Sequence, residues 1–195
     1  MSIIPELTVG LQTAWWFSAI YIIGNLIIMF IFPKESWSRF FGGSDSEFTK
    51  NKNEVRRKIE DVVSHICWFG LIVYAIFVPI KFGTIYFYLG LAIFIIGMLL
   101  YEISLINYAS TPVGKPVTRG LYKISRNPIY VFDYVLWIGI GVLTASWIVL
   151  LVKTIGSIAQ HYLIIEEEYF CLEKYGESYK NYMQKIPRYL GVLNK

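Results

Sequence analysis

Charge is scarce in this chain. Of 195 residues only 16% are Asp, Glu, Lys or Arg, against roughly a quarter in an ordinary soluble domain. A water-facing exterior alone consumes more charge than this, so most of the surface must face something else, and a bilayer fits. Cysteine is nearly absent: Cys67 lies in an apolar run and Cys171 in a polar tail, which gives no disulfide framework and argues against a stapled secreted domain. His65 and His161 are solitary, with no Cys, His or carboxylate partners at ligand spacing, so no metal site and no catalytic triad is expected. The net charge of +4 is too small, and its carriers too scattered, for nucleic acid to be the main partner. Gly139, Ile140 and Gly141 make the only Gly-x-Gly, inside an apolar helix with no preceding strand, and read as helix-packing glycines rather than a dinucleotide fingerprint.

Long uncharged runs take the place of charge. Leu7 to Phe32 contains Trp15, Trp16 and an Ile-rich stretch long enough to cross about 30 Å of hydrocarbon. A signal peptide is a poor reading of it, because the start carries Glu6 and no basic residue. Two further runs, Asp61 to Lys81 and Lys81 to Glu102, are separated by the Pro79 to Gly83 turn signal. After Asp133 the chain is apolar to Ile165 except for Lys153, too long for one span, and Thr144, Ala145 and Ser146 mark a break. The expected fold is therefore all-α: a polytopic integral membrane protein with about five transmembrane helices, near 7–32, 60–80, 84–106, 130–144 and 146–164. The last two form a tight helical hairpin, and a cytoplasmic C-terminal helical tail follows. A single membrane-embedded domain is expected in two parts, 1–106 with three helices and a basic loop, and 107–195 with the cofactor-binding loop, hairpin and tail.

Segments 33–59, 107–129 and the tail from 165 carry sixteen of the eighteen Lys and Arg residues. With five spans all three lie on one side, which the positive-inside bias makes the cytoplasm. The expected protein is thus multi-pass in the cell membrane, N-terminus outside and C-terminus cytoplasmic. Lys81 and Lys153 are left to sit at or snorkel toward the other face.

Chemistry concentrates around residues 113–130. A Gly- and Pro-punctuated loop carries Lys115, Pro116, Val117, Arg119, Gly120 and Tyr122, then Arg126, Asn127, Pro128, Ile129 and Tyr130 lead into the fourth span. The hairpin returns the chain to this end at Glu166, Glu167 and Glu168. At about 100° per residue only one or two of these carboxylates can point back into the protein. A carboxylate facing Arg, Asn and Tyr suits a small polar cofactor serving a lipid-like substrate. Glu102 and Asp133 lie near the same ends of their spans; Asp133, three residues past Tyr130, is a candidate substrate-side group.

Taken in order, Gly120-Leu121-Tyr122, Arg126-Asn127-Pro128-Ile129-Tyr130, a two-helix hairpin, Glu167-Glu168, Leu172 and Tyr175-Gly176 with Tyr179 and Tyr182 resemble the integral-membrane isoprenylcysteine carboxyl methyltransferase and phospholipid methyltransferase superfamily. The match covers roughly the C-terminal half; the first three spans agree only in being apolar. The resemblance implies S-adenosylmethionine-dependent methyl transfer to a lipophilic small-molecule or lipid-modified acceptor, with membrane lipids as the surroundings. It implies cofactor contacts from Lys115, Pro116, Val117, Tyr122, Asn127, Pro128, Ile129, Tyr130 and Glu167. Arg126, Tyr130 and Glu168 become the candidate catalytic group. Arg126 either pairs with the cofactor carboxylate or locks the tail through Glu168. In-line displacement from a sulfonium needs positioning and desolvation rather than a nucleophile, and none is visible.

The chain departs from the family pattern twice. Asn127 stands where the family has histidine, which keeps hydrogen bonding and removes titration. Leu163 stands where prenylcysteine enzymes carry an arginine for the substrate carboxylate, with His161 the nearest polar residue, so an amine, hydroxyl, thiol or headgroup acceptor stays open. The rival enzyme is an NADPH-dependent membrane sterol or steroid reductase with a similar motif, but it has Asn where Ile129 stands here. A non-catalytic membrane scaffold is the remaining alternative.

Overall fold

Each long apolar run becomes a helix in the computed structural model, which describes residues 7–36 and 54–191. The main helices are α1 (Trp15–Ile31), α2 (Glu54–Ala75), α3 (Ile85–Ala109), α4 (Pro128–Leu143) and α5 (Trp147–Tyr175). A short α6 (Glu177–Lys185) follows, and one 3-10 turn covers Gly120–Lys123. Among the described residues there is no strand, only an isolated antiparallel bridge between Thr13 and Pro79. Much of the basic 33–59 segment, including Arg39, Lys50 and Lys52, falls outside the described residues, as do Glu6 and Lys195.

Helix limits differ from the spans expected above, for local reasons. Residues 8–14, which include a turn at 10–13, lie beside 77–80, with the Thr8 N–H donating to Phe77 O (2.9 Å), Ala14 N–H to Val78 O (2.9 Å) and Ile80 N–H to Gln12 O (2.8 Å). These bonds satisfy backbone that would otherwise be orphaned at a bundle end, so α1 starts late and α2 stops early. At its other end α2 begins before residue 60, in a polar turn held by the pairs Lys58–Glu54 (2.7 Å) and Arg56–Glu60 (2.9 Å). Helix α5 runs on past 164 through all three glutamates.

Glycine lets α3 and α4 pack backbone to backbone. A Cβ on Gly139 would stand 2.7 Å from Phe94 Cα, and one on Gly97 2.8 Å from Leu136 Cα. Gly139 is thus a packing glycine, and α4 fills the centre with Leu136, Trp137, Ile140 and Leu143, all fully buried. The α4–α5 turn falls at the expected break. Ser146 N–H donates to Gly141 O and Ala145 N–H to Val142 O, both at 2.9 Å, with Ala145 left-handed at φ 49°. This is a Schellman closure, the pattern that ends a helix and reverses the chain.

The outer surface is apolar. Phe30, Ile66, Phe69 and Leu99 are exposed. Helices α3 and α5 are long and apolar enough to cross a membrane, and only 39% and 28% of their apolar windows are buried within the chain. Core helices of a water-soluble protein would show the reverse. The hairpins place residues 107–128 and the stretch from Glu166 onward together at one end of the bundle.

Candidate functional site

The site end is built on a glycine turn. Gly120 has φ +56° and a Cβ there would run into the Asn107 side chain, whose Oδ1 accepts from Leu121 N–H at 2.8 Å. Only glycine meets both demands. The turn buries Tyr122, whose carbonyl accepts from the Tyr182 hydroxyl of α6 at 2.6 Å. Burial raises the Tyr182 and Tyr179 phenols well above the ordinary range, so both remain neutral donors.

Next comes a clasp centred on Glu168. Glu168 and Glu166 are each 2% exposed, while Glu167 between them is exposed. Glu168 Oε1 accepts from Asn127 Nδ2 at 2.9 Å and lies 3.2 Å from Arg126 Nε; its Oε2 accepts from Arg188 Nε at 2.9 Å. Burial opposes the Arg188 charge, but the hydrogen bond and charge of Glu168 outweigh it and raise its pKa. The tail is stitched to the same turn by one backbone bond, Arg126 N–H to Pro187 O (2.9 Å), and one side-chain bond, Ser125 Oγ to Arg188 O (3.1 Å). Arg126 is therefore engaged with the tail through Glu168, one of the two partners open to it from sequence. Asn127 spends its amide donors on Glu168 and on Arg188 O.

Tyr130 and Glu167 form the second pair. The Tyr130 hydroxyl donates to Glu167 Oε1 at 2.8 Å, which leaves Oε2 to accept from elsewhere. Pro128 occupies the first turn of α4, where its missing N–H costs nothing, and both Pro128 and Ile129 are buried. Pro116 and Val117 are half-buried, and Val117 packs on the core; Lys115 is exposed on the loop. Beside Tyr130 a cavity of about 510 Å³ runs between α4 and α5, with His161 in its wall. His161 Nδ1 lies 2.8 Å from the Tyr189 hydroxyl. Burial also raises the Tyr189 pKa.

Asp133 does not line that cavity. It pairs with Lys153 across the hairpin, both side chains 7% exposed. Lys153 thus turns inward instead of snorkelling outward, because a buried anion is available to it. Glu102 lies against Gly24 of α1, its carboxylate without a hydrogen-bond partner among the described residues.

Sequence reasoning passed over Arg188, Tyr189 and the inward role of Lys153. An Arg-Tyr pair after Pro187 in a polar tail carries no periodicity to mark it, and a single lysine in an apolar run does not declare its partner.

The described helices form a bundle whose two longest apolar members are mostly unburied, with a Tyr-carboxylate pair beside a cavity at one end. Residues 80–178, just over half the chain, match the family model for phospholipid methyltransferase, and the chain belongs to that family. The family lies within the integral-membrane, isoprenylcysteine carboxyl methyltransferase-like superfamily and is membrane-associated. No curated protein matches the chain.

Proposed function

We propose that the protein is an S-adenosylmethionine-dependent methyltransferase that modifies a lipophilic acceptor at the cytoplasmic face of the cell membrane. The observation that carries this reading is the Tyr130–Glu167 pair, an exposed carboxylate fixed by a motif tyrosine next to a cavity, within a chain of the phospholipid methyltransferase family.

The residues fit the cofactor. S-adenosylmethionine offers an ammonium and ribose hydroxyls, and Glu167 Oε2 is an acceptor for either. Lys115, Pro116 and Val117 supply the loop beside it, and the Gly120 turn with Tyr122, Asn127, Pro128 and Ile129 fixes the backbone at the α4 entrance. When bound, the cofactor supplies a methyl group made electrophilic by a sulfonium. The chain's own work is to orient and to exclude water. Tyr130 holds the Glu167 carboxylate in one rotamer. Glu168, with Arg126, Asn127 and Arg188, ties the tail over the site, a positioning role.

The charge distribution supports five spans with the N-terminus outside and the C-terminus cytoplasmic, and residues 107–195 as the part that holds the site. Glu167→Gln and Tyr130→Phe test the assignment. Glu167→Gln removes the charge offered to the cofactor ammonium and Tyr130→Phe the hydroxyl that holds the carboxylate; a charge-assisted hydrogen bond is worth about 1.5–3 kcal/mol, so S-adenosylhomocysteine should bind roughly ten- to a hundredfold more weakly while the melting temperature in detergent holds. Parent-like affinity in both variants would overturn the assignment.

A further inference from the structure

The cavity beside Tyr130 carries information about the acceptor. Tyr130 and Tyr134 stand four residues apart on one face of α4, and Thr154, Ser157 and His161 form a row at three- and four-residue spacing on α5. Tyr189 closes the site end through its hydrogen bond to His161. Ile158 and Leu190 line the cavity and are 57% and 53% exposed, so it opens sideways onto the apolar outer surface.

Two features limit what it can hold. No Asp, Glu, Lys or Arg lines it, so a charged head group would lose hydration without gaining a counter-ion. Besides the Gln160 amide, two polar groups on one face of α5 retain hydrogen-bonding capacity in its wall. Among the described residues the buried Ser157 Oγ has no hydrogen-bond partner, and His161 engages Nδ1 with Tyr189, which leaves Nε2. They lie one helical turn apart. A hydroxyl, at once donor and acceptor, matches this pair in either tautomer of His161, whereas a carboxylate needs Nε2 to donate and an ammonium needs it to accept.

We infer that this cavity is the acceptor site and that it takes a lipophilic molecule with an uncharged hydroxyl head, held by Ser157 and by His161, which Tyr189 orients; as the hydroxyl oxygen bonds the methyl carbon and the carbon–sulfur bond breaks to release S-adenosylhomocysteine, His161 Nε2 takes the hydroxyl proton. The inference rests on the methyltransferase reading and names its acceptor class. A volume of 510 Å³ falls within the range of small-ligand sites, about 300–1,000 Å³, and admits a head group with the start of its apolar tail. The Tyr130 hydroxyl bonds Glu167 while its ring lines the cavity, so the head lies next to the proposed cofactor carboxylate.

The test uses the full chain in lipid nanodiscs and a photoreactive long-chain phenol, in competition with para-dodecylphenol, para-dodecylbenzoate and dodecyltrimethylammonium. Labelling should map to α4 and α5 and be displaced by the phenol at least tenfold better than by either charged analogue. His161→Ala and Ser157→Val should each weaken displacement by about tenfold, the loss of one buried hydrogen bond, with S-adenosylhomocysteine binding unchanged. Should His161→Ala not fold, Ser157→Val and the cavity-filling Val135→Phe carry the same expectation. Labelling outside the hairpin, or equal displacement by the charged analogues, overturns the inference even where S-adenosylhomocysteine binds. Absence of S-adenosylhomocysteine binding to the parent protein overturns the reaction class instead.

Discussion

Glu168 binds one amide and two guanidinium groups from two parts of the chain, the turn before α4 and the tail, so its removal strands Arg126 and Arg188 where little water reaches Arg126. Breaking such a buried ion pair by deleting one partner costs about 3–5 kcal/mol. Glu168→Ala should therefore lower the melting temperature in detergent far more than Glu167→Ala, whose side chain is exposed; equal shifts would remove the clasp from the account. The Asp133–Lys153 pair allows a sharper comparison. Asp133→Leu alone should destabilise by about 3–5 kcal/mol, and adding Lys153→Met should restore most of that, because an apolar pair of similar volume packs without a desolvation cost. A double variant as unstable as the single one would show that the pair does not act as a unit. Motif order pointed to Tyr130, Glu167 and Glu168 from sequence. It did not point to Arg188, because Glu168 meets it twenty residues later, beyond the reversal at Gly176, and no helical period spans that gap.

Helix contacts explain what periodicity could and could not supply. Uncharged runs announced α1 to α5 and the break at Thr144 to Ser146, since hydrocarbon length and turn chemistry are local properties. Helix ends were less visible. The pairing of residues 8–14 with 77–80 is non-local, and the continuation of α5 through three glutamates depends on the tail covering its second face. Glu166 and Glu168, which project about 200° apart, are both buried, and it is Glu168 that faces the tail through Arg188. Two substitutions test the helix packing. Gly139→Ala places a methyl 2.7 Å from Phe94 Cα, so α3 and α4 must part, at a cost of about 1–3 kcal/mol. Ala145→Gly should instead stabilise by roughly 1 kcal/mol, since Ala145 holds a left-handed conformation that glycine adopts freely. Thermal melts of both variants check the opposite signs; a stabilising Gly139→Ala would contradict the close contact.

For the whole molecule, scarce charge and an apolar exterior fit the membrane association of its family, and the motif residues gather at one bundle end. The proposed orientation places Phe82, exposed in the turn before α3, outside the cell and Ser178, exposed in α6, inside. In a variant without Cys67 and Cys171, a cysteine at 82 should be labelled on intact cells by an impermeant maleimide, and one at 178 only after permeabilisation. The reverse pattern would invert the orientation. Reaction class is more fundamental than orientation, and calorimetric titration of the detergent-purified protein with S-adenosylhomocysteine, with NADPH in parallel, tests it most directly. The account predicts saturable binding of S-adenosylhomocysteine, weakened by Glu167→Gln, and no heat from NADPH. Binding of NADPH with silence toward S-adenosylhomocysteine would contradict it.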